Sequence, residues 1–188
     1  MFLFVHGGGW ILGHKRQQGH VTSCTSSPPR AGSASRSTTA CRRATFPDHL
    51  EDVRAAIGWV KRTIRDHGGD PGFIVLGGGS AGAHLASLAA LTATAPAPGE
   101  PDLRVQGCVA YYGVYDFADR DRAFRHGMFR VLLEAGTILK RRFADGAAPF
   151  DDASPITHIG ADAPPFMVLH GDRDSLAPIA GARTVTER

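Results

Sequence analysis

Short runs of apolar residues, each followed closely by a glycine, divide the chain into a series of predicted strands. The runs cover residues 1–5, 73–76, 105–112 and 166–169. Each run is almost continuously apolar instead of alternating, which is typical of strands buried on both faces of a parallel sheet. We therefore expect a parallel sheet built from these strands.

The segments between these runs are helical in pattern. Residues 47–68 carry acidic side chains at the start and basic ones toward the end, and their apolar residues recur at three- and four-residue steps: Leu50, Val53, Ile57, Val60 and Ile64. Further helices are predicted after residue 80, over 128–143 and from 179 onward. Strands that alternate with helices predict an α/β fold with a parallel sheet flanked by helices, and 188 residues suit a single domain, 1–188.

The second apolar run leads into Gly-Gly-Gly-Ser-Ala-Gly, with Ser80 at the point where strand becomes helix. A serine on so tight a turn holds its hydroxyl out toward substrate, and Gly78 and Gly82 leave room for the backbone on either side. The amide of Ala81 then points toward the same place from the start of the helix. Ser80 is a candidate nucleophile, although a tight strand-to-helix turn without chemistry explains this motif equally well.

The first apolar run ends in His-Gly-Gly-Gly-Trp at residues 6–10. Consecutive glycines allow backbone amides to turn toward a ligand, so Gly8 and Gly9 are candidates to donate two hydrogen bonds to an oxyanion. Taken alone, a triple glycine is more typical of a flexible turn.

Taken together, three motifs resemble the α/β-hydrolase superfamily, and specifically the hormone-sensitive-lipase-like carboxylesterases of the α/β-hydrolase fold-3 group. They are the glycine-rich motif at 6–9, the Gly-x-Ser-Ala-Gly motif at 78–82, and His-Gly-Asp-Arg-Asp-Ser-Leu-Ala-Pro at 170–178, which is similar to the acid loop of that family. The resemblance covers nearly the whole chain and implies a partial α/β-hydrolase fold.

The resemblance also implies the roles of a serine hydrolase. By it, Ser80 is the nucleophile, Asp174 is the acid that orients a histidine, and Gly8, Gly9 and Ala81 form the oxyanion hole. The implied reaction is hydrolysis of a carboxylic ester by acyl transfer through the serine.

The same resemblance implies a substrate class, the absence of a cofactor and the position of a lid. It implies small-molecule esters of small to medium acyl chains, without a metal or an organic cofactor, and a lid or insertion within 117–160. The apolar residues of that segment either line an acyl pocket or pack in the core. Asp172 competes with Asp174 for the acid role, and the spacing in Gly-x-x-Asp-x-Leu-x-Pro favours Asp174.

The histidine that should take the serine proton is missing from its expected place. In this fold the partners follow the order Ser, Asp, His, yet no histidine follows His170. His84 lies one helical turn beyond the serine and is interpreted as a packed histidine. His6 directly precedes the glycine motif and is interpreted as a residue that supports its conformation. His158 and His170 are nearest to the acid in sequence, but a histidine at a strand end seldom has the reach of a general base.

We therefore expect a domain truncated at both ends, with little activity as it stands. Two alternatives remain open: a non-catalytic protein that binds small molecules, as do hormone receptors in the resembling group, and a gene remnant. Poor soluble expression is expected from the exposed apolar edge of an incomplete sheet.

Charge and cysteine content bear on the binding partners and the cellular compartment of the protein. The formal net charge of +3 arises in the first 47 residues, which carry six Lys or Arg and no Asp or Glu. Since no aromatic residue lies between 13 and 45, this segment does not resemble a nucleic-acid surface. No run is long enough for a membrane span, and three cysteines without disulfide or metal spacing suggest a cytoplasmic protein.

Residues 14–45 differ from the rest of the chain. They are rich in Ser, Thr, Pro and Arg, and they predict a disordered or irregular segment. Because a compact α/β domain rarely inserts so long a structureless loop, we hypothesise that codons for about 20–42 are read in a shifted frame. Read two bases later, GC-rich codons there permit an apolar strand followed by a turn. Sequencing of the gene tests this hypothesis.

Overall fold

One parallel sheet contains the five strands of the described residues. The computed structural model describes residues 1–13, 34–37, 44–120, 122–124 and 138–188. Its strands are β1 (Phe2–Val5), β2 (Ala34–Ser37), β3 (Val75–Gly79), β4 (Gly107–Tyr111) and β5 (Phe166–Leu169). Their order across the sheet is β2-β1-β3-β4-β5, and every neighbouring pair is parallel. The predicted α/β fold with a parallel sheet is confirmed.

The described helices follow the predicted alternation with the strands. They are α1 (Asp48–Thr63), α2 (Ala81–Leu91), α3 (Ala148–Asp152) and α4 (Ile179–Glu187), with 3-10 turns at Ile64–His67, Phe143–Asp145 and Pro155–Thr157. All five apolar positions predicted to face the core from the first helix and its extension are buried. No helix in these parts of the chain combines the length and apolar character needed to cross a membrane.

Most of the buried apolar residues of the described strands and helices lie on one face of the sheet. Leu3, Val5, Leu76 and Cys108 point to this face and are buried together with the apolar side chains of α1 and α2. Helix α4 joins the same side, because its inward residues share a cluster with Ala110 of β4.

The opposite face is less well covered at the β5 edge. Met167 and Leu169 alternate with the inward residues of β5, and 58% and 37% of their respective surfaces are exposed. Exposed apolar side chains on an edge strand favour association with other chains.

Strand β3 begins two residues later than its apolar run and continues through Gly77, Gly78 and Gly79. The glycines read as a turn in the sequence, but a Cβ at Gly77 would lie 2.2 Å from the ring of Phe2. The ring of Phe2 therefore leaves no room for a side chain at Gly77, and the strand continues to Gly79, with the turn at Ser80.

The structure tests only parts of the predictions for the irregular segment 14–45 and for the helix over 128–143. Residues 34–37, within the segment expected to be irregular, form strand β2 beside β1. The rest of that segment up to residue 43, and with it most of the frame-shift hypothesis for 20–42, lies outside the described residues. So does most of the helix predicted over 128–143, and residues 138–142 are not helical.

Candidate active site

Ser80 occupies a strained turn between β3 and α2. Its backbone angles, φ 55° and ψ −122°, lie outside the regions that non-glycine residues normally adopt. The amide of Ser80 donates to the carbonyl of Tyr111 at 2.9 Å, and its carbonyl accepts from the amide of His84 at 3.1 Å. Hydrogen bonds from β4 and α2 thus hold the serine in this conformation.

The two glycines that flank the serine are required by close backbone contacts. A Cβ at Gly78 would lie 2.4 Å from the carbonyl group of Gly82, and a Cβ at Gly82 would lie 2.2 Å from the carbonyl oxygen of Val5. Real side chains do not approach backbone atoms so closely. The same contacts bring the start of α2 against the end of β1.

The glycine loop, residues 6–12, leaves β1 at the level of the serine, because Val5 is paired with Gly78 in the sheet. Three consecutive residues have positive φ: Gly8 at 127°, Gly9 at 59° and Trp10 at 63°. The carbonyl of Gly8 turns inward and accepts the amides of residues 11 and 12 at 3.3 and 3.0 Å.

Three backbone amides at the carboxyl ends of β1 and β3 have no acceptor within the described residues. Within the described residues, nothing accepts a hydrogen bond from the N–H groups of Gly8, Gly9 or Ala81. The first two come from the glycine loop and the third from the first turn of α2. Amides without an acceptor in the described residues, from the glycine loop and from the helix that follows Ser80, are the kind of donors that an oxyanion requires, and their role remains a prediction.

The acid loop, residues 170–178, holds Asp174 in a fixed position. Its Oδ1 accepts the amides of Leu176 and Ala177 at 2.8 and 2.9 Å, and its Oδ2 makes no hydrogen bond within the described residues. Asp172 is exposed and has no such partners among these residues. The carboxylate of Asp174 is therefore held at one oxygen and open at the other, which suits an acid that orients a base. The assignment of Asp174 remains a prediction.

Each histidine considered near the acid is hydrogen-bonded to backbone instead. His170, whose side chain is 3% exposed, donates from Nε2 to the carbonyl of Ala177 at 2.5 Å, and its Nε2 lies 3.7 Å from Oδ2 of Asp174. His158 donates to the carbonyl of Asp152 at 2.9 Å. Within the described part of the chain, no histidine is hydrogen-bonded to the Asp174 carboxylate or to the Ser80 hydroxyl.

His84 is fully buried, as its interpretation as a packed histidine predicted. Its Nδ1 accepts the indole N–H of Trp10 at 3.0 Å, and its Nε2 donates to the carbonyl of Ala153 at 2.8 Å. Burial lowers the pKa of the imidazole to about 3, so the ring is neutral.

A second buried histidine, His49 of α1, donates from Nε2 to the carbonyl of Trp10 at 3.1 Å. Burial lowers its pKa, although the hydrogen bond to Trp10 acts in the opposite direction. From the sequence, no chemistry was predicted for His49, and Trp10 was not predicted to belong to the site. The only sequence feature that pointed to this pair was the position of Trp10 directly after the glycine motif.

A cleft lies between the end of β4 and the start of α4, next to the acid loop. Its lining includes Val114, Tyr115, Phe124, Ala177 and Pro178, and Ser80 is not part of it. Parts of the segment 117–160 pack in the core, with Phe117 and Phe150 buried. The expected lid within that segment remains a prediction.

The tyrosines at the end of β4 have different environments. Tyr115 is buried, whereas Tyr112 is exposed, has φ 41°, and places its hydroxyl 2.9 Å from where a Cβ of Gly79 would lie. Tyr112 thus stands beside the residue that precedes Ser80.

Comparison with known families and curated proteins gives consistent matches. A family model described as BD-FAE matches residues 1–188. The chain is 46% identical over 183 residues to a probable carboxylic ester hydrolase, LipM, and 42% identical over 183 residues to the esterase LipQ, both from Mycobacterium tuberculosis. These matches cover 95% of this chain but 42% and 43% of those proteins. The chain therefore spans less than half the length of these relatives.

Solved structures give the same picture of the fold. Esterase Est2 of Thermogutta terrifontis with propionate bound superposes with a TM-score of 0.77 at 26% identity, over 99% of this chain and 65% of that one. A truncated carbohydrate esterase from gut microbiota gives a TM-score of 0.76 at 21% identity, over 99% and 71% of the two chains, and this likeness shows the fold alone.

Proposed function

The chain belongs to the BD-FAE family, and from this premise we propose that its site is that of a carboxylic ester hydrolase with Ser80 as nucleophile. One observation carries the proposal: a serine in a strained turn lies at the same end of the sheet as three backbone amides that have no acceptor within the described residues. A packing role would need neither the strain nor the unpaired donors.

The proposed reaction proceeds by acyl transfer. The oxygen of Ser80 attacks the ester carbonyl carbon while a base takes the hydroxyl proton, and the amides of Gly8, Gly9 and Ala81 donate to the resulting oxyanion. The intermediate collapses, the alcohol leaves with the proton, and the acyl group stays on the serine. Water then adds in the same way and releases the carboxylic acid.

Asp174 is proposed to orient the base through its open Oδ2. The base is a histidine in the resembling enzymes, whereas His84, His158 and His170 are each hydrogen-bonded to a backbone carbonyl. We therefore propose that this chain, tested alone, acylates slowly and that added imidazole accelerates the acylation. Small acyl groups are proposed as substrates, with support from the relative whose structure holds propionate.

A fluorophosphonate probe tests the nucleophile directly. We expect covalent labelling of the wild-type chain and none of Ser80→Ala, with Ser175→Ala, an exposed serine in the acid loop, labelled like wild type. Equal labelling of wild type and Ser80→Ala, both shown to be folded by circular dichroism, would refute the proposal.

A second candidate is a non-catalytic protein that binds small acids or esters in the same place. The absence of any hydrogen bond from a described histidine to Asp174 or Ser80 favours it. Thermal stabilisation by butyrate without any acylation of Ser80 would support this reading over the enzyme.

A further inference from the structure

We propose that His84 is a positioning residue, whose hydrogen bond to Trp10 holds the glycine loop against the nucleophile turn. The inference rests on the proposed function, because it concerns the aim of the Gly8 and Gly9 amides toward an oxyanion on Ser80. It concerns a side chain that does not itself touch the substrate.

The geometry uses both nitrogens of His84. A tryptophan indole can only donate and a carbonyl can only accept, so Nδ1 must be the acceptor for Trp10 and Nε2–H the donor to Ala153. This fixes a single tautomer and a single ring orientation. A buried neutral histidine with both nitrogens satisfied is therefore a rigid connector between two backbone segments.

The connector is attached directly to the nucleophile. His84 lies one turn into α2, and its own amide donates to the carbonyl of Ser80 at 3.1 Å. Trp10 directly follows Gly9. The path from the nucleophile to the two loop amides therefore passes through one helical turn, one imidazole and one indole.

The backbone of Trp10 is held as well as its side chain. Its carbonyl accepts from His49 at 3.1 Å, and its φ of 63° is unusual for a residue with a bulky side chain. Held at both points, Trp10 keeps a conformation that an isolated glycine-rich loop would leave. Because Gly8 and Gly9 directly precede Trp10, its fixed conformation also restricts the backbone of these two glycines.

Neighbouring rings keep the pair in place. The ring of Phe117 lies 4.4 Å from that of His84 and 5.5 Å from that of Trp10, measured between centroids. Phe117 is fixed in turn, because its amide donates to the hydroxyl of Ser154 at 2.8 Å. A leucine at position 84 would satisfy the packing but would leave the indole N–H and the Ala153 carbonyl unpaired, which indicates that the histidine is needed for its hydrogen bonds.

The test compares three variants of the full chain. Trp10→Phe keeps an aromatic ring and removes the donor, His84→Leu removes the connector, and His84→Gln supplies an acceptor and a donor in its place. His158→Leu serves as the control, because it removes a histidine hydrogen bond that lies outside the proposed network.

The first readout is hydrogen exchange of the peptide that covers residues 7–12. We expect faster exchange in Trp10→Phe and His84→Leu, with α2 still protected, and near wild-type exchange in His84→Gln and His158→Leu. Unchanged exchange of residues 7–12 in both disruptive variants would overturn the inference, whatever the activity.

The second readout is the rate at which p-nitrophenyl acetate acylates Ser80 with imidazole present, compared with the matching thionoester. Sulfur accepts the hydrogen bonds of an oxyanion hole poorly, so the ratio of the two rates reports how well the amides are aimed. We expect the oxygen-ester rate to fall about tenfold or more and the ratio to fall with it in Trp10→Phe and His84→Leu.

The two failures are distinguishable. A fall in rate with an unchanged ratio would indicate a general loss of structure and would contradict the positioning role. Acylation of the wild-type chain that equals that of Ser80→Ala would refute the proposed function instead, and the exchange of residues 7–12 would then decide alone whether the connector exists.

Discussion

Individual residues at this site are under tight steric and electrostatic constraint. Gly78 and Gly82 are fixed by backbone atoms little more than 2 Å from where their side chains would begin. Burial penalises the charged imidazole, so it lowers the pKa of His84 to about 3 and also lowers the pKa of His49. Gly78, Gly82 and His84 all lie within four residues of Ser80, so substitutions at these positions have large and predictable effects.

The neutral state of His84 predicts a dependence of stability on pH. Its pKa is about 3 in the folded chain, against an ordinary value of 6.5, so the unfolded chain binds more protons between these two pH values. The stabilisation is complete above about pH 6.5 and is lost as the pH falls toward 3, by at most about 1.4 kcal/mol per pH unit for this group. Urea titrations from pH 4 to 7.5 should therefore show a shallower slope in His84→Gln than in wild type. Parallel slopes would contradict the buried neutral imidazole.

Substitution of Gly82 by alanine should be severe. The new Cβ would overlap the carbonyl oxygen of Val5, and neither backbone can move without disrupting β1 or α2. We expect a loss of about 3 kcal/mol or more in the free energy of unfolding, measured by chemical denaturation. Gly160→Ala is the matched control, since it meets nothing within 4 Å and should stay within about 0.5 kcal/mol. Similar effects at both positions would refute the close contact.

At the scale of elements, the carboxyl ends of the parallel strands bring the site together. Strand β1 leads into the glycine loop, β3 into the nucleophile turn and β5 into the acid loop. Ligands of open parallel sheets bind at this edge. The order of strands thus explains how motifs that lie far apart in the chain come to one place.

The acid loop is predicted to depend on the carboxylate of Asp174. Asp174→Ala removes an acceptor for two amides, so we expect faster hydrogen exchange over residues 171–177 and a loss of about 1–2 kcal/mol in stability. Asp172→Ala, two residues earlier and without these partners, should change neither quantity appreciably. An equal effect of the two variants would show that the loop does not rely on Asp174.

The sequence predicted the elements more fully than the contacts between them. Strand β5 and the buried face of α1 agree with the hydrophobic pattern, because burial on the sheet imposes that pattern directly. Strand β3 was placed too early, since the pattern assigned Gly77 to the turn, whereas it lies within the strand against the ring of Phe2. The Trp10–His84 hydrogen bond joins residues 74 apart, and no local pattern encodes a contact of that kind.

For the site, the family could be predicted from the sequence, but the hydrogen bonds around the site could not. The resemblance to α/β-hydrolase esterases is confirmed by the family match along the full chain. The roles of Ser80, Asp174, Gly8, Gly9 and Ala81 remain predictions that the geometry supports. The hydrogen bonds of His84 and His49 could not be assigned from the sequence, because the partners of a buried histidine are set by the three-dimensional structure.

For the molecule as a whole, the sheet is unequally covered. Helices α1, α2 and α4 contribute to the core on one face, while β5 exposes Met167 and Leu169 at the edge of the other. This asymmetry agrees with the expectation of poor soluble expression, which remains a prediction.

Charged substitutions at this edge should improve solution behaviour. We expect the wild-type chain to associate with increasing concentration and Met167→Glu combined with Leu169→Glu to shift it toward monomer, because apolar edge surface drives association. Light scattering coupled to size-exclusion chromatography measures this. Trp59→Glu is the control, since Trp59 is 49% exposed on α1, away from the edge, and should leave association unchanged. A monodisperse wild-type monomer with a cooperative melt would contradict the prediction.

The most direct test of the central claim is peptide mapping by mass spectrometry after exposure to p-nitrophenyl acetate and imidazole. The account predicts that the peptide containing Ser80 gains the mass of one acetyl group, and that Ser80→Ala gains none there. An unmodified Ser80 in a chain shown to be folded, or acetylation spread over other residues at the same rate, would contradict the claim that this serine is held to accept an acyl group.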